Sequence, residues 1–192
     1  MQNPEYLSID TPEKAKQVRR IEMTSMGTMF FFAASANIIP VSLVRISRDI
    51  GFSLTEAGFI NFLGSWLQFG ILLTSGILAS FFGKLRLIRF ALIGVALGLA
   101  LMAQSPSYFL FLAFALVMFL GHGVLEALLT PLVEDLHPGD QGTHMNLLHG
   151  FWPLGVLICV LGVGELLTRG VDWRIIFSVF GALILALALL QP

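Results

Sequence analysis

Charge is what this sequence has least of. Lys, Arg, Asp and Glu make up 12% of its 192 residues, while 56% are hydrophobic. A soluble domain carries about 25% charged residues, so the deficit is too large to be explained by a tight core. Mean hydropathy is +0.86. Cysteine is nearly absent as well: Cys159 stands alone, which excludes an intrachain disulfide. No basic patch is dense enough for a nucleic-acid partner, and the net charge of −1 points to no charged partner of either kind. The stretch up to Glu22 lacks the short apolar core and small-residue cleavage site of a signal peptide, so the first hydrophobic segment is expected to be retained.

What is present is long uncharged runs. Met23 to Val44, Ala57 to Gly83 and Phe90 to Leu125 contain no Asp, Glu, Lys or Arg. A bilayer span takes about 20 apolar residues, so the first two runs are one span each. The third is too long for one, and Gln104-Ser105-Pro106-Ser107 divides it by a polar turn. Spans are predicted at 24–44, 57–82, 87–104, 108–133, 145–168 and 174–191. Backbone groups in lipid must be paired internally, and these runs are far longer than barrel strands. The expected fold is therefore all-α integral membrane: a six-span bundle over 23–192, preceded by a polar N-terminal segment, 1–22. Within that segment, Thr11-Pro12-Glu13-Lys14 has the form of a helix start. The residues after it, up to Met23, form either a short basic helix on the membrane surface or a tail whose cations set topology.

Orientation is read from Lys and Arg in short loops. The N-terminal side holds Lys14, Lys16, Arg19, Arg20, Lys84, Arg86 and Arg89; the other holds Arg45, Arg48, Arg169 and Arg174. Both termini are accordingly expected in the cytoplasm, with the chain in the plasma (inner) membrane.

Ionisable residues inside a span are costly and usually face a bundle interior or a watery cavity. Glu126 is the leading case, roughly 10 Å along its helix from the cytoplasmic end. His122 precedes it by four residues, so the two share a helix face and can contact one another. A carboxyl so placed suits proton carriage; the alternative is a neutral acid tying helices together. His122 equally suits packing between helices with one ring nitrogen bonded. Glu165, near the outer end of span five, is expected either to snorkel or to pair with Arg169, one turn away. Asn37, Gln68 and Asn146 either line a pore or serve as interhelical glue. Trp152 is either an interfacial aromatic or a cavity ring. Gly58, Gly64, Gly70 and Gly76 recur every six residues, which spreads them over several helix faces rather than one stripe.

Two stretches carry a family likeness. "GILASFFGKLRLI", Gly76 to Ile88, resembles the loop between spans two and three of the major facilitator superfamily, Gly-x-Leu-Ala-Asp-Arg-x-Gly-Arg-Lys. Gly76, Leu78, Ala79, Gly83 and Lys84 match; Ser80 and Phe81 replace the Asp and Arg. "DWRIIF", Asp172 to Phe177, is similar to that superfamily's opening of span six. "GHGVLEALLTPLVEDLHP" resembles span four of the fucose:proton symporter family through Gly121, Gly123, Leu125, Glu126, Pro131, Val133, Leu136 and Pro138. Asn146, Leu147, Phe151 and Gly155 continue that likeness into span five. The family's span-one Asp has no counterpart; Asn37 and Pro40 stand there instead.

The resemblance implies six spans as 3+3 inverted repeats, half of a twelve-span carrier, with a second six-span half as partner and substrate between the halves. It implies a secondary active transporter, not an enzyme, moving a small polar solute such as a sugar with a proton. Glu126 and His122 would handle the proton. Glu126, His149, Trp152, Asn37, Gln68 and Asn146 would contact substrate. Gly76, Gly83, Lys84 and Arg86, with Glu134 and Asp135, would form a cytoplasmic gate. Neither a cofactor nor a metal is expected, since His144 and His149 with Glu134 or Asp135 form no recognised ligand spacing. The rivals are a non-transporting membrane assembly subunit and an intramembrane enzyme; the Gly-x-Ser-Gly turn of six-span serine proteases does not occur.

Overall fold

Thr11 starts the first helix. Its hydroxyl accepts from the Lys14 amide at 3.4 Å, and Pro12 occupies a first-turn position where its missing N–H costs nothing. The architecture is that of a computed structural model, which describes residues 11–192. Residues 1–10 of the expected N-terminal segment lie outside the described residues. Helix α1 runs unbroken from Pro12 to Ile50. The basic stretch around Arg19 and Arg20 is therefore the first three turns of the span itself, not a separate surface helix. The reason is local: nothing between Pro12 and Pro40 interrupts the helical hydrogen bonds.

Helix α2 spans Leu54–Phe82 and opens with a capping box, in which Ser53 and Glu56 satisfy each other's backbone amides. It ends at Gly83, whose φ of 84° is strained for any residue with a Cβ. That one residue is the whole connection to α3, Lys84–Gln104. Helix α4 spans Tyr108–Leu136. Helix α5, Gln141–Ile158, passes through a π-helical turn, Cys159–Val163, into α6, Gly164–Thr168. Helix α7 spans Trp173–Leu190. Among the described residues there are no strands, and six helices are long and apolar enough to cross a membrane, with α5 through α6 counting as one. Each predicted span falls on one of these. The helices extend beyond the apolar runs where polar caps continue them, most of all at the start of α1.

The packing repeats. Helix α3 packs along α4 and α7, while α1 lies along α5 and α2 along α4. The α1·α5 and α2·α4 pairs occupy matching places in the two halves of the bundle. In each, a glycine lets the backbones close: a Cβ on Gly155 would overlap the Phe30 carbonyl, and one on Gly64 would overlap the Phe119 ring. Of the four periodic glycines of α2, Gly64 alone is in such a contact.

Both described chain ends meet at one end of the bundle, the terminal end. There Arg20 Nη2 donates to the Leu190 carbonyl at 3.1 Å, and Gln191 Nε2 donates to Thr28 Oγ1 at 3.0 Å. At the opposite end Arg174 donates to Asp49 at 2.9 Å and to the carbonyls of Ala103 and Ser105 at 2.8 and 3.0 Å. These ties fasten α7 to α1 at both ends and to the α3–α4 turn at the opposite one. Helices α2 and α5 stay at the front, with most of their surfaces exposed.

Candidate functional site

A cleft of about 540 Å³ opens among the four front helices. Helix α1 contributes Met29, Phe32 and Ala36, and α2 contributes Gln68. Helix α4 contributes Leu125, Glu126, Leu129 and Thr130, and α5 contributes His149 and Trp152. The spacing is helical on every wall: Met29, Phe32 and Ala36 recur at three and four residues, as do Leu125, Glu126, Leu129 and Thr130. The cleft is mostly apolar, with one carboxylate.

Glu126 accepts a 2.7 Å hydrogen bond from Gln68 Nε2 across the cleft. It is exposed on the open front of the bundle rather than sealed in dry protein. The contact with His122 that their spacing allows does not form. His122 is buried on another side of α4, with Nε2 2.9 Å from Ser35 Oγ of α1 and the rings of Phe32 and Phe119 at 5.0 and 6.0 Å. Four residues turn a helix by about 40° beyond a full turn, and α4 has different neighbours on either side of that angle. His122 meets α1 and Glu126 meets α2. In this arrangement His122 packs between α1 and α4.

His149 and Trp152 line the cleft. His149 Nε2 is 3.4 Å from Thr130 Oγ1, and the Trp152 ring stands edge-on to Phe32 at 4.9 Å. Asn37 and Asn146 are not among the cleft residues. Asn37 Nδ2 donates back to the Ala33 carbonyl at 2.8 Å in its own helix, and Asn146 lies one turn before His149, outside the lining. Thr130, Met29 and Phe32 went unnoticed in the sequence. Thr130 had a usable signal, one helical turn beyond Glu126. The α1 residues had none, since nothing local tells which side of α1 faces α4.

Prolines add polar groups to these walls. A proline within a helix frees the carbonyl four residues earlier. Pro40 frees that of Ala36 and Pro153 that of His149, and both residues line the cleft.

Beneath the cleft, Lys84 Nζ reaches Asp135 Oδ2 at 2.6 Å and the Pro131 carbonyl at 3.1 Å. This tie joins the start of α3 to the end of α4. Arg86 and Glu134 make no ion pair among the described residues, so the expected gate charges reduce to Lys84 and Asp135. Gly83 supplies the turn that presents Lys84, whereas Gly76 faces open space. Glu165 pairs with Arg169 at 2.7 Å.

The structure also assembles a group that sequence spacing hid. Glu22, His137 and His144 offer ligand atoms all within 4.8 Å of one another. His144 is paired with Glu22, not with His149, Glu134 or Asp135. The rings of His137 and His144 stack at 3.4 Å. Burial holds the His137 imidazole below its usual pKa, against the pull of the Glu22 carboxylate. The three members come from α1, the α4–α5 turn and α5, too far apart in sequence for any motif.

The chain matches known proteins over nearly all of its length. A family model described as Major Facilitator Superfamily matches residues 24–191. The chain is similar to the puromycin resistance protein pur8 of Streptomyces alboniger, 31% identical over 156 residues, which is 78% of this chain and 30% of that protein. The chain therefore spans about 30% of the length of this curated relative.

Proposed function

Because the chain belongs to the major facilitator superfamily, whose members are membrane transporters rather than enzymes, we propose that it forms the cleft-bearing part of a proton-coupled secondary transporter. The observation that carries this reading is Glu126, a single carboxylate held by Gln68 in an apolar cleft walled by four helices. A bare carboxylate is penalised when such a cleft closes and loses water. Reorientation is then easier once Glu126 has gained a proton or a cationic substrate group. Exchanging one for the other couples proton and solute movement.

The lining favours an amphipathic organic solute. Phe32, Leu125, Leu129 and Trp152 offer apolar and ring surface, while Glu126 offers one anchor for a basic nitrogen. The relative named for puromycin resistance supports export of such a compound. A sugar, the solute implied by the span-four likeness, is the second reading. It is favoured by the amide of Gln68 and the imidazole of His149 beside the Trp152 ring.

The cleft is open at the front, and α2 and α5 carry exposed Phe62, Trp66, Phe69, Leu154 and Leu157. A second six-span unit would close it there. The terminal end would face the cytoplasm, following the Lys and Arg bias, in the plasma (inner) membrane.

The deciding experiment uses proteoliposomes holding the chain with a second six-span half, under an imposed proton gradient, with labelled puromycin and labelled fucose as probes. Glu126→Gln should abolish gradient-driven accumulation, leave counterflow exchange of an uncharged solute, and weaken that of a cationic one, whose basic nitrogen loses its anchor. Accumulation by Glu126→Gln equal to the parent would sink the proton role. No movement of either probe by the parent, or by a panel of organic cations and hexoses, would favour a non-transporting assembly.

A further inference from the structure

We propose that Glu22, His137 and His144 form a site for a divalent transition-metal ion of the zinc class, which fastens α1 to the α4–α5 connection at the terminal end of the cleft. The site lies apart from the transport carboxylate and goes beyond the transporter reading. Two imidazoles and a carboxylate are a donor set that suits Zn²⁺, with water completing a tetrahedron. Their ligand atoms already lie within 4.8 Å of one another.

An observation beyond that clustering points to a ligand: an unmet need. His137 Nε2 is buried and has no hydrogen-bond partner; its nearest acceptor, Glu22 Oε1, is 3.6 Å away and already engaged by His144 Nδ1. A buried polar atom left without a partner is destabilising. At 3.6 Å the Glu22 carboxylate does not meet the His137 ring, whereas a cation among the three would engage all of them.

The α4–α5 turn brings the two rings together. His137 and Asp140 close the α4–α5 turn. The His137 amide donates to the Glu134 carbonyl, and the Asp140 amide to the His137 carbonyl, each at 3.2 Å. Asp140 Oδ1 then accepts from the Thr143 amide at 3.4 Å and starts α5. This turn holds the two rings parallel, 3.4 Å apart. The in-plane lone pairs of parallel rings do not converge, so coordination needs one ring to rotate about its Cβ–Cγ bond. His144, with 26% of its side chain exposed, is the ring free to do so. A metal–oxygen bond of about 2.0–2.2 Å would then draw Glu22 inward. Glu22 lies two turns before the cleft residue Met29, and His144 five residues before the cleft residue His149. An ion here therefore restrains two cleft walls together.

The test uses the full chain, tag-free and stripped of metal, in lipid nanodiscs, with Zn²⁺ alone as the probe and bound metal measured after equilibrium dialysis. The parent should take up one ion per chain at micromolar Zn²⁺. His144→Asn and Glu22→Gln should each weaken uptake by at least about tenfold, while His149→Asn, outside the cluster, should bind as the parent does. Co²⁺ in the same site of the parent should show the intense visible bands of a four-coordinate ion, a readout that needs no variant. Less than one ion bound by the parent overturns the proposal, as does equal loss in His149→Asn. A parent Co²⁺ spectrum with only the weak bands of a hydrated six-coordinate ion overturns it too.

Discussion

At the scale of single residues, the two ionisable groups of α4 part company. Glu126 and His122 sit four residues apart, yet one faces Gln68 in the cleft and the other faces Ser35 in the packed interior. Their variants should therefore fail differently. Glu126→Gln keeps the size and the Gln68 contact, so the fold should hold, with unchanged thermal melting, and the loss should fall on proton-driven transport. His122→Ala empties a buried space between Phe32 and Phe119 and leaves Ser35 Oγ without its partner. A destabilisation of about 2–5 kcal/mol is expected from such a cavity and an orphaned polar group, read as a lowered melting temperature in detergent. If His122→Ala instead melts like the parent and loses only proton coupling, the packing role is wrong. Spacing along the helix showed that both side chains leave it near one face. Which neighbour each would meet depended on helices elsewhere in the chain.

Between elements, contact is set by small residues and by a few cations. The backbone of α5 reaches α1 at Gly155, where a methyl group would collide with the Phe30 carbonyl. Overpacking of this kind costs about 1–3 kcal/mol, so Gly155→Ala should lower the melting temperature. Gly76→Ala, which meets open space, serves as the control and should leave it unchanged. Arg174 holds the opposite end through a carboxylate and two carbonyls, with its guanidinium 4.5 Å from the Trp173 ring centre. Lysine keeps the charge and loses the planar fork. Arg174→Lys should therefore cost about 1–3 kcal/mol, and urea or heat titration in detergent would show it. The Lys84–Asp135 tie is a different case. It is partly exposed, and such pairs contribute about 0–1 kcal/mol. Lys84→Ala should barely alter stability but should change transport rate, and the exchanged pair Lys84→Asp with Asp135→Lys should recover part of it. A rate indifferent to both would remove this pair from any gating role.

At the scale of the whole molecule, the packing order explains why the cleft lies where it does. Helix α3 is clamped between α4 and α7, so it forms the back of the bundle, and α1, α2, α4 and α5 are left to wall the front. The cleft has no cover among the described residues, and the helices α2 and α5 that wall it carry exposed aromatic and leucine side chains. Co-expression with a six-span partner half should protect Trp66 from a water-soluble quencher and raise substrate affinity. Equal quenching and equal affinity with and without the partner would argue that the cleft works alone.

The sequence by itself determined that the chain crosses a membrane, how often, and which residues each crossing uses. Uncharged runs, turn residues and the Thr11 cap are local signals, and burial in lipid makes every one of them compulsory. It also determined Glu126, because a carboxyl inside an apolar run needs no neighbours to be conspicuous. Only the tertiary structure decided what Glu126 touches, that His122 and Asn37 turn away, and that Gly64 matters among four evenly spaced glycines. It alone brought Glu22 to His137 and His144 across most of the chain. The physical reason is common to all of these. Helical periodicity fixes the angle at which a side chain leaves its own helix. The partner at that angle is fixed by which helices pack together, and packing is a property of the whole bundle that no single span records.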